Sequence, residues 1–341
     1  LSETQAATLR INKESIYIPE RAGHPVRSFL YREMLIMRKI LLHRALKLSG
    51  SEKLGRILTT GAAAIAIIST ITIVFFISTK GLSAFLVDGI SIKDFLFSTH
   101  WLPDRLPEDG GPQVGVLAFL IGSIVVSMLA VLLSAPLSVA CAVFIAEIAP
   151  NWGQRVLQPA IEILAGIPSV VYGYVGLSVL VPFIRNNVGG LGFSVLAGFL
   201  VLTVMILPTI VSISTDSLRA LPGEWKEAAY ALGSTRWQAI RLVLLPAARS
   251  GIMTGIVLGL ARAFGEALAV QMVIGNTRKI PTSILDPVIT LTSAITMDMG
   301  NTPMGSLWNN ALWSMGLLLL MMSCFFILVI RFISLKGGAA R

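Results

Sequence analysis

Charge is what this chain has least of. Only 13% of its 341 residues are Asp, Glu, Lys or Arg, whereas 55% are hydrophobic. The mean hydropathy is +0.79. A soluble domain carries about a quarter charged residues, so an ordinary soluble enzyme or binding domain is excluded. The two cysteines, Cys141 and Cys324, lie inside apolar stretches and argue against a disulfide framework or a cysteine metal site. The three histidines, His24, His43 and His100, show no ligand spacing. No alternating ten-residue strands mark a membrane β-barrel. No GxxxxGK[ST] loop exists to cradle a nucleotide, so ATP hydrolysis cannot belong to this chain. No nucleophile–base or metal-ligand cluster supports an intramembrane enzyme.

What is present is a series of apolar runs close to the roughly 20 residues that cross a bilayer as helix. Six spans are expected, at 57–77, 114–148, 157–183, 193–213, 252–274 and 307–330. The class is therefore an all-α membrane protein with six transmembrane helices. The second run contains Pro136 and is too long for one straight crossing. It is either two helices parted at the proline or one kinked helix that continues past the membrane. The kinked helix is favoured, because the charges then sort by side.

With both ends on the cytoplasmic side, 20 of the 27 Lys and Arg residues fall inside. Six (Lys80, Lys93, Arg105, Arg185, Arg278 and Lys279) fall outside, and Arg262 is left within a span. This asymmetry follows the positive-inside rule. It explains the net charge of +9 without nucleic acid, for which no fold motif is present. Three regions result: a cytoplasmic N-terminal segment 1–56, a transmembrane domain 57–333 and a cytoplasmic tail 334–341. Residues 2–28 are polar and aperiodic, read as mobile, and do not resemble a signal peptide. Residues 29–48 have the spacing of a basic amphipathic helix, lying on the inner leaflet or packed on a partner.

Two stretches carry chemistry. The first is EAAYALGSTRWQAIRLVLLP, 227–246, within a cytoplasmic loop of about 216–250. Pro222 suits a helix start, and Glu224 and Glu227 favour its positive dipole end. Gly233 can end that helix in the left-handed conformation, while Ser234 or Thr235 can cap the next. Two short helices joined by a sharp turn are expected, with Trp225, Ala228, Ala229 and Trp237 as apolar surface. Glu227, Lys226, Arg236 and Arg241 supply charge for orientation. The plainer alternative is an amphipathic loop lying on the membrane.

The second stretch is LGLARAFGEALAVQMVIGNT, 258–277. Arg262 and Glu266 stand four apart, on one face of the expected fifth helix. Each costs about 2.5–3.5 kcal/mol at bilayer centre, and pairing recovers part of that. Either they form a structural ion pair, or Arg262 lines a path for an anion while Glu266 tunes its availability. Guanidinium suits oxyanions because its planar fork donates two parallel hydrogen bonds. Gly166, Pro168 and Ser169 interrupt the third span, as a pathway kink or as plain packing. The outer loop 78–113 is a docking surface or a folded cap. Glu147 and Glu162 are expected to face water and carry no assigned chemistry.

The triplet Glu227-Ala228-Ala229, Gly233 six residues from the first of these, and Val243-x-Leu245-Pro246 match the loop signature of bacterial ATP-driven importer permeases. Together with FSTKGLSAFL, LAGIPSVVYGYVGL and GLARAFGEALAVQMVIGNT, the chain resembles the PstC-type permease family of bacterial phosphate importers over approximately residues 57–333. The resemblance implies a type I ABC importer permease (MetI-like) fold with a cytoplasmic coupling helix, in the bacterial inner membrane. It implies ATPase coupling through Glu227, Ala228, Ala229, Gly233, Arg236 and Pro246. It also implies a PstA-like second permease, a PstB-like ATPase dimer, a PstS-like phosphate-binding protein, and inorganic phosphate as cargo. No cofactor would bind this chain; ATP and magnesium would sit on the ATPase. The rivals are an importer of sulfate, molybdate or phosphonate, the sister permease itself, an ion-driven carrier, and a scaffold or sensor. An ion-driven carrier predicts inverted repeats, and none is visible.

Overall fold

In the computed structural model the backbone is described for residues 25–338 except 107 and 109, and side chains for 52–332 with the same two exceptions. The polar segment 1–24 and the last three residues of the tail lie outside the described residues. So do the side chains on which the amphipathic reading of 29–48 depends, although that segment is helical.

Helix α1 runs Pro25–Leu86. The chain divides into two compact units at Thr72. Within the first, the stretch 57–72 of α1 carries no charge, and Ile57, Leu58, Ile65, Ile68 and Ile71 are each more than 60% exposed. Such a helix has its surface satisfied by lipid or by another chain.

In the second unit the end of α1 packs on the terminal helix α11 (Leu307–Gly338). Phe76 meets Trp313 edge-on at 5.3 Å, and Ser314 Oγ donates to the Gly81 carbonyl at 2.6 Å. A folded cap follows, with α2 (Ile92–Phe97) and an antiparallel pair β1 (Trp101–Leu102) and β2 (Gln113–Val114). Trp101 pairs with Val114 and is buried edge-on against Phe119 at 5.3 Å. The described part of the loop 78–113 is thus a cap with its own apolar contacts.

The membrane core is built on α3 (Leu117–Ile148) and α6 (Val195–Arg219), packed along one another. Helix α3 is one helix through Pro136, as the charge count favours, and its last turn, Phe144–Ile148, widens into a π-helix. Phe119, Val126, Ala130, Leu202, Met205, Ile206 and Ile210 fill the seam. Thr203 Oγ1 donates to the Ala130 and Phe199 carbonyls. Helix α8 (Arg236–Gly265) crosses α6 on a stripe of small residues. An added methyl at Gly251, Gly255 or Gly259 would meet Ser217, Ile213 or Ile210 of α6. With lipid as solvent, such close backbone approach supplies the association that apolar burial cannot.

Two expected spans are broken. The third is a pair, α4 (Pro150–Gly166) and α5 (Ser169–Asn187), bent by 95°. Pro168 has no N–H and drives Ile167 into extended backbone, φ −69° and ψ 129°. Tyr172 Oη donates to the Leu164 carbonyl at 2.7 Å, replacing a bond the break removed. The fifth span starts earlier than expected, because the second arm of the loop runs straight into it as α8. It also stops earlier, at Gly265 rather than 274. A four-residue turn, α9 (Leu268–Gln271), and a loop lead to α10 (Leu291–Asp298). Among the described residues, five helices are long and apolar enough to cross a membrane, or six if the bent pair is one span.

Candidate functional site

The loop 220–246 folds as a hairpin from bonds its own residues supply. Helix α7 (Gly223–Ala231) begins after Pro222, with Glu224 in its first turn. Gly233 follows at φ +80°, its N–H donating to the Tyr230 carbonyl at 2.9 Å while Ser234 N–H reaches Ala229 at 3.2 Å. That pair of bonds is the Schellman termination, which requires a left-handed residue. Thr235 then caps α8 in a reciprocal box with Gln238. Both local expectations hold. The second arm, however, is the first part of a 30-residue helix, so the turn is rigidly continuous with a membrane helix.

Within the hairpin, Ala229 is buried while Glu227 and Ala228 are exposed. Trp225, Leu232 and Trp237 are 46%, 90% and 59% exposed, an apolar rim on a polar projection. The base is held by Val143, Leu218, Ile240, Leu244 and Ala248. Pro246 lies just after the π-helical stretch Ile240–Leu244, where wider winding accommodates a residue without an N–H. It shapes α8 rather than the tip.

The charges at the hairpin base differ from expectation. Glu147 is 9% exposed, not water-facing, and Lys226 Nζ lies 2.6 Å from its Oε2. Arg236 donates through Nη2 to the backbone carbonyls of Glu147 and Ile148. Glu162 is exposed, as expected.

Arg262 and Glu266 make no ion pair; among the described residues the salt bridges are Arg56–Glu52, Lys226–Glu147 and Arg278–Asp298. The helix that would put them on one face ends between them. Glu266 takes extended backbone, ψ 127°, and its Oε1 accepts from Ala269 N–H at 3.0 Å, capping the short turn beyond. Thr292 Oγ1 donates to its carbonyl at 2.8 Å. Arg262 instead donates from Nη1 to Thr209 Oγ1 on α6 at 3.1 Å and lies within electrostatic range of Tyr172. Thr209 and Glu147 carried no sequence signal, since each meets a partner 53 or more positions away. Gly166 sits at the bend with open space around it, followed by Pro168 and Ser169, the first residue of α5.

A bundle of long apolar helices, interrupted by a projecting hairpin between two of them, is the architecture of a multi-span membrane protein. The chain belongs to the family of binding-protein-dependent transport system inner membrane components, whose model matches residues 136–336. It is 57% identical over 281 residues to the probable ABC transporter permease protein YqgH of Bacillus subtilis, covering 82% of this chain and 90% of that one. It is 34% identical over 301 residues to the phosphate transport system permease protein PstC of Xylella fastidiosa, again covering 82% and 90%. A bacterial alginate ABC transporter has the same fold, with TM-score 0.57 and 15% identity over 83% of this chain and 96% of that one. The chain is thus a permease subunit of an ABC importer with the type I, MetI-like fold. Permeases of this kind work with a separate ATPase, which hydrolyses the ATP, and with a substrate-binding protein.

Proposed function

We propose that this permease carries inorganic phosphate inward across the bacterial cytoplasmic membrane. The observation that carries the reading is Arg262: a guanidinium set among apolar helices, held among the described residues by one neutral hydroxyl and by no carboxylate. Its charge and remaining donors are left for an oxyanion, which its planar fork binds in two parallel hydrogen bonds. The 34% identity to a phosphate permease over most of the chain supports the same cargo. Glu266, committed to a backbone cap, shapes the broken helix beside Arg262 and leaves that charge uncompensated.

The hairpin is the proposed grip for a PstB-like ATPase dimer, which would bind ATP and magnesium. Exposed Trp225, Glu227 and Ala228 form the contact, and Gly233 fixes its shape. The Lys and Arg asymmetry supports a cytoplasmic position for this hairpin and both termini. A PstA-like permease and a PstS-like binding protein complete the assembly. The test is uptake of radiolabelled phosphate into vesicles holding the full complex, with sulfate, molybdate and phosphonate as competitors. Arg262→Gln should abolish uptake while the complex still assembles. Uptake that persists in Arg262→Gln, or that sulfate displaces better than phosphate, would overturn the assignment.

A further inference from the structure

The hairpin is fastened to α3 by two cations, one from each of its arms. Lys226 belongs to α7, before the Gly233 turn, and Arg236 opens α8, after it. Both reach the same spot, the last turn of α3. There Lys226 Nζ meets the Glu147 carboxylate at 2.6 Å, with side-chain exposures of 35% and 11%. Arg236 donates to the carbonyls of Glu147 and Ile148. Those carbonyls are the unpaired acceptors of a helix end, where the dipole is negative and a cation is favoured.

The spot itself is stiff. The end of α3 is pinned from behind, since a methyl on Gly153 would meet Ile145 Cα at 2.8 Å. From there α3 runs against α6 through the length of the core. A hairpin attached by one arm could pivot. One attached by both arms at one point cannot tilt without breaking an ion pair or a helix cap.

We propose that Glu147, Lys226 and Arg236 form a transmission joint, which carries displacement of the hairpin into α3 in addition to α8, with which its second arm is continuous, so that two helices packed on one another move as a pair. They are positioning residues, the cations of Lys226 and Arg236 being bonded to the end of α3. The proposal rests on the reading of 220–246 as the coupling hairpin. It adds α3 as a second membrane helix that receives the motion, beside the continuous α8.

The test uses the complete complex, with Cys141 and Cys324 replaced and nitroxide labels at Leu232 on the hairpin tip and Leu132 on the exposed face of α3. With the native joint, the label distance stays constant between ATP-free and ATP-bound states, because the two elements move together. In Glu147→Gln and Lys226→Gln it should change with ATP. ATP consumed per phosphate moved should rise about tenfold, the effect of a contact worth ~1.4 kcal/mol. The double variant should be no worse than either single, since partners in one contact are not additive. Lys226→Arg should restore coupling. A native distance that shifts with ATP, or single variants indistinguishable from native in distance and ATP ratio, would overturn the joint. A complex that binds its ATPase but moves no phosphate refutes the cargo assignment alone, and the label distance still decides the joint.

Discussion

Gly233 offers the cleanest test of the hairpin, because nothing but backbone conformation restricts it. Its φ is +80°, and a methyl added there meets nothing within 4 Å. Substitution by Ala therefore creates no clash and removes no packing. The cost is that of placing an L side chain in the left-handed region, roughly 1–2 kcal/mol. If the ATPase grips only the native hairpin, its apparent affinity falls in proportion to the competent fraction. A cost of 1–2 kcal/mol corresponds to about a 5- to 30-fold loss. Asn tolerates this region better than other side chains, so Gly233→Asn should lose less than Gly233→Ala. Pro, whose ring fixes φ near −65°, should lose most. Binding of the purified ATPase to permease in nanodiscs, measured by titration, gives the order Gly, Asn, Ala, Pro. An Ala variant that binds within twofold of native, or better than Asn, refutes the claim that this turn sets the docking shape.

Two further outcomes follow from the packing and from the loop before α10. A methyl on Gly122 of α3 would overlap the Ile289 carbonyl oxygen, so Gly122→Ala should destabilise by about 1–3 kcal/mol of overpacking. It should lower the unfolding temperature in detergent, whereas Gly61→Ala, with open space around it, should not. In the loop before α10, Asp286 Oδ2 accepts from the Thr282 hydroxyl and from the N–H groups of Thr282 and Ser283, which holds its carboxyl below the usual value of 3.8. A depressed carboxylate contributes order above its unfolded pKa and loses it as pH falls through the lower folded value. Amide exchange of residues 282–286 should therefore accelerate only in acid below 3.8, and Asp286→Asn should show that faster exchange at neutral pH.

Breaks in the helices are where sequence and structure part. The Ile167–Pro168 break was visible, because proline acts on its immediate neighbour. The break at Glu266 was not, because no proline marks it. It is held by a carboxylate capping Ala269 and by Thr292 reaching back across 26 positions. Helical spacing therefore predicted a facing Arg262–Glu266 pair, where the fold sends each side chain to a different partner. Glu147 was misread for a related reason. At the end of an apolar run a carboxylate ordinarily faces water, and only the return of the hairpin buries it.

The sequence by itself determined whatever is decided within one or two helical turns. Scarce charge and long apolar runs set the class, Lys and Arg placement set the proposed orientation, and Gly233 with Thr235 set the hairpin. These depend on solvation and on bonds between near neighbours, so composition and spacing suffice. Only the tertiary structure decided what each buried charge meets. Glu147 received Lys226 and Arg236, and Arg262 received Thr209 in place of Glu266. A buried charge must find compensation wherever the packed helices bring it, and that place is fixed by contacts far apart in the chain.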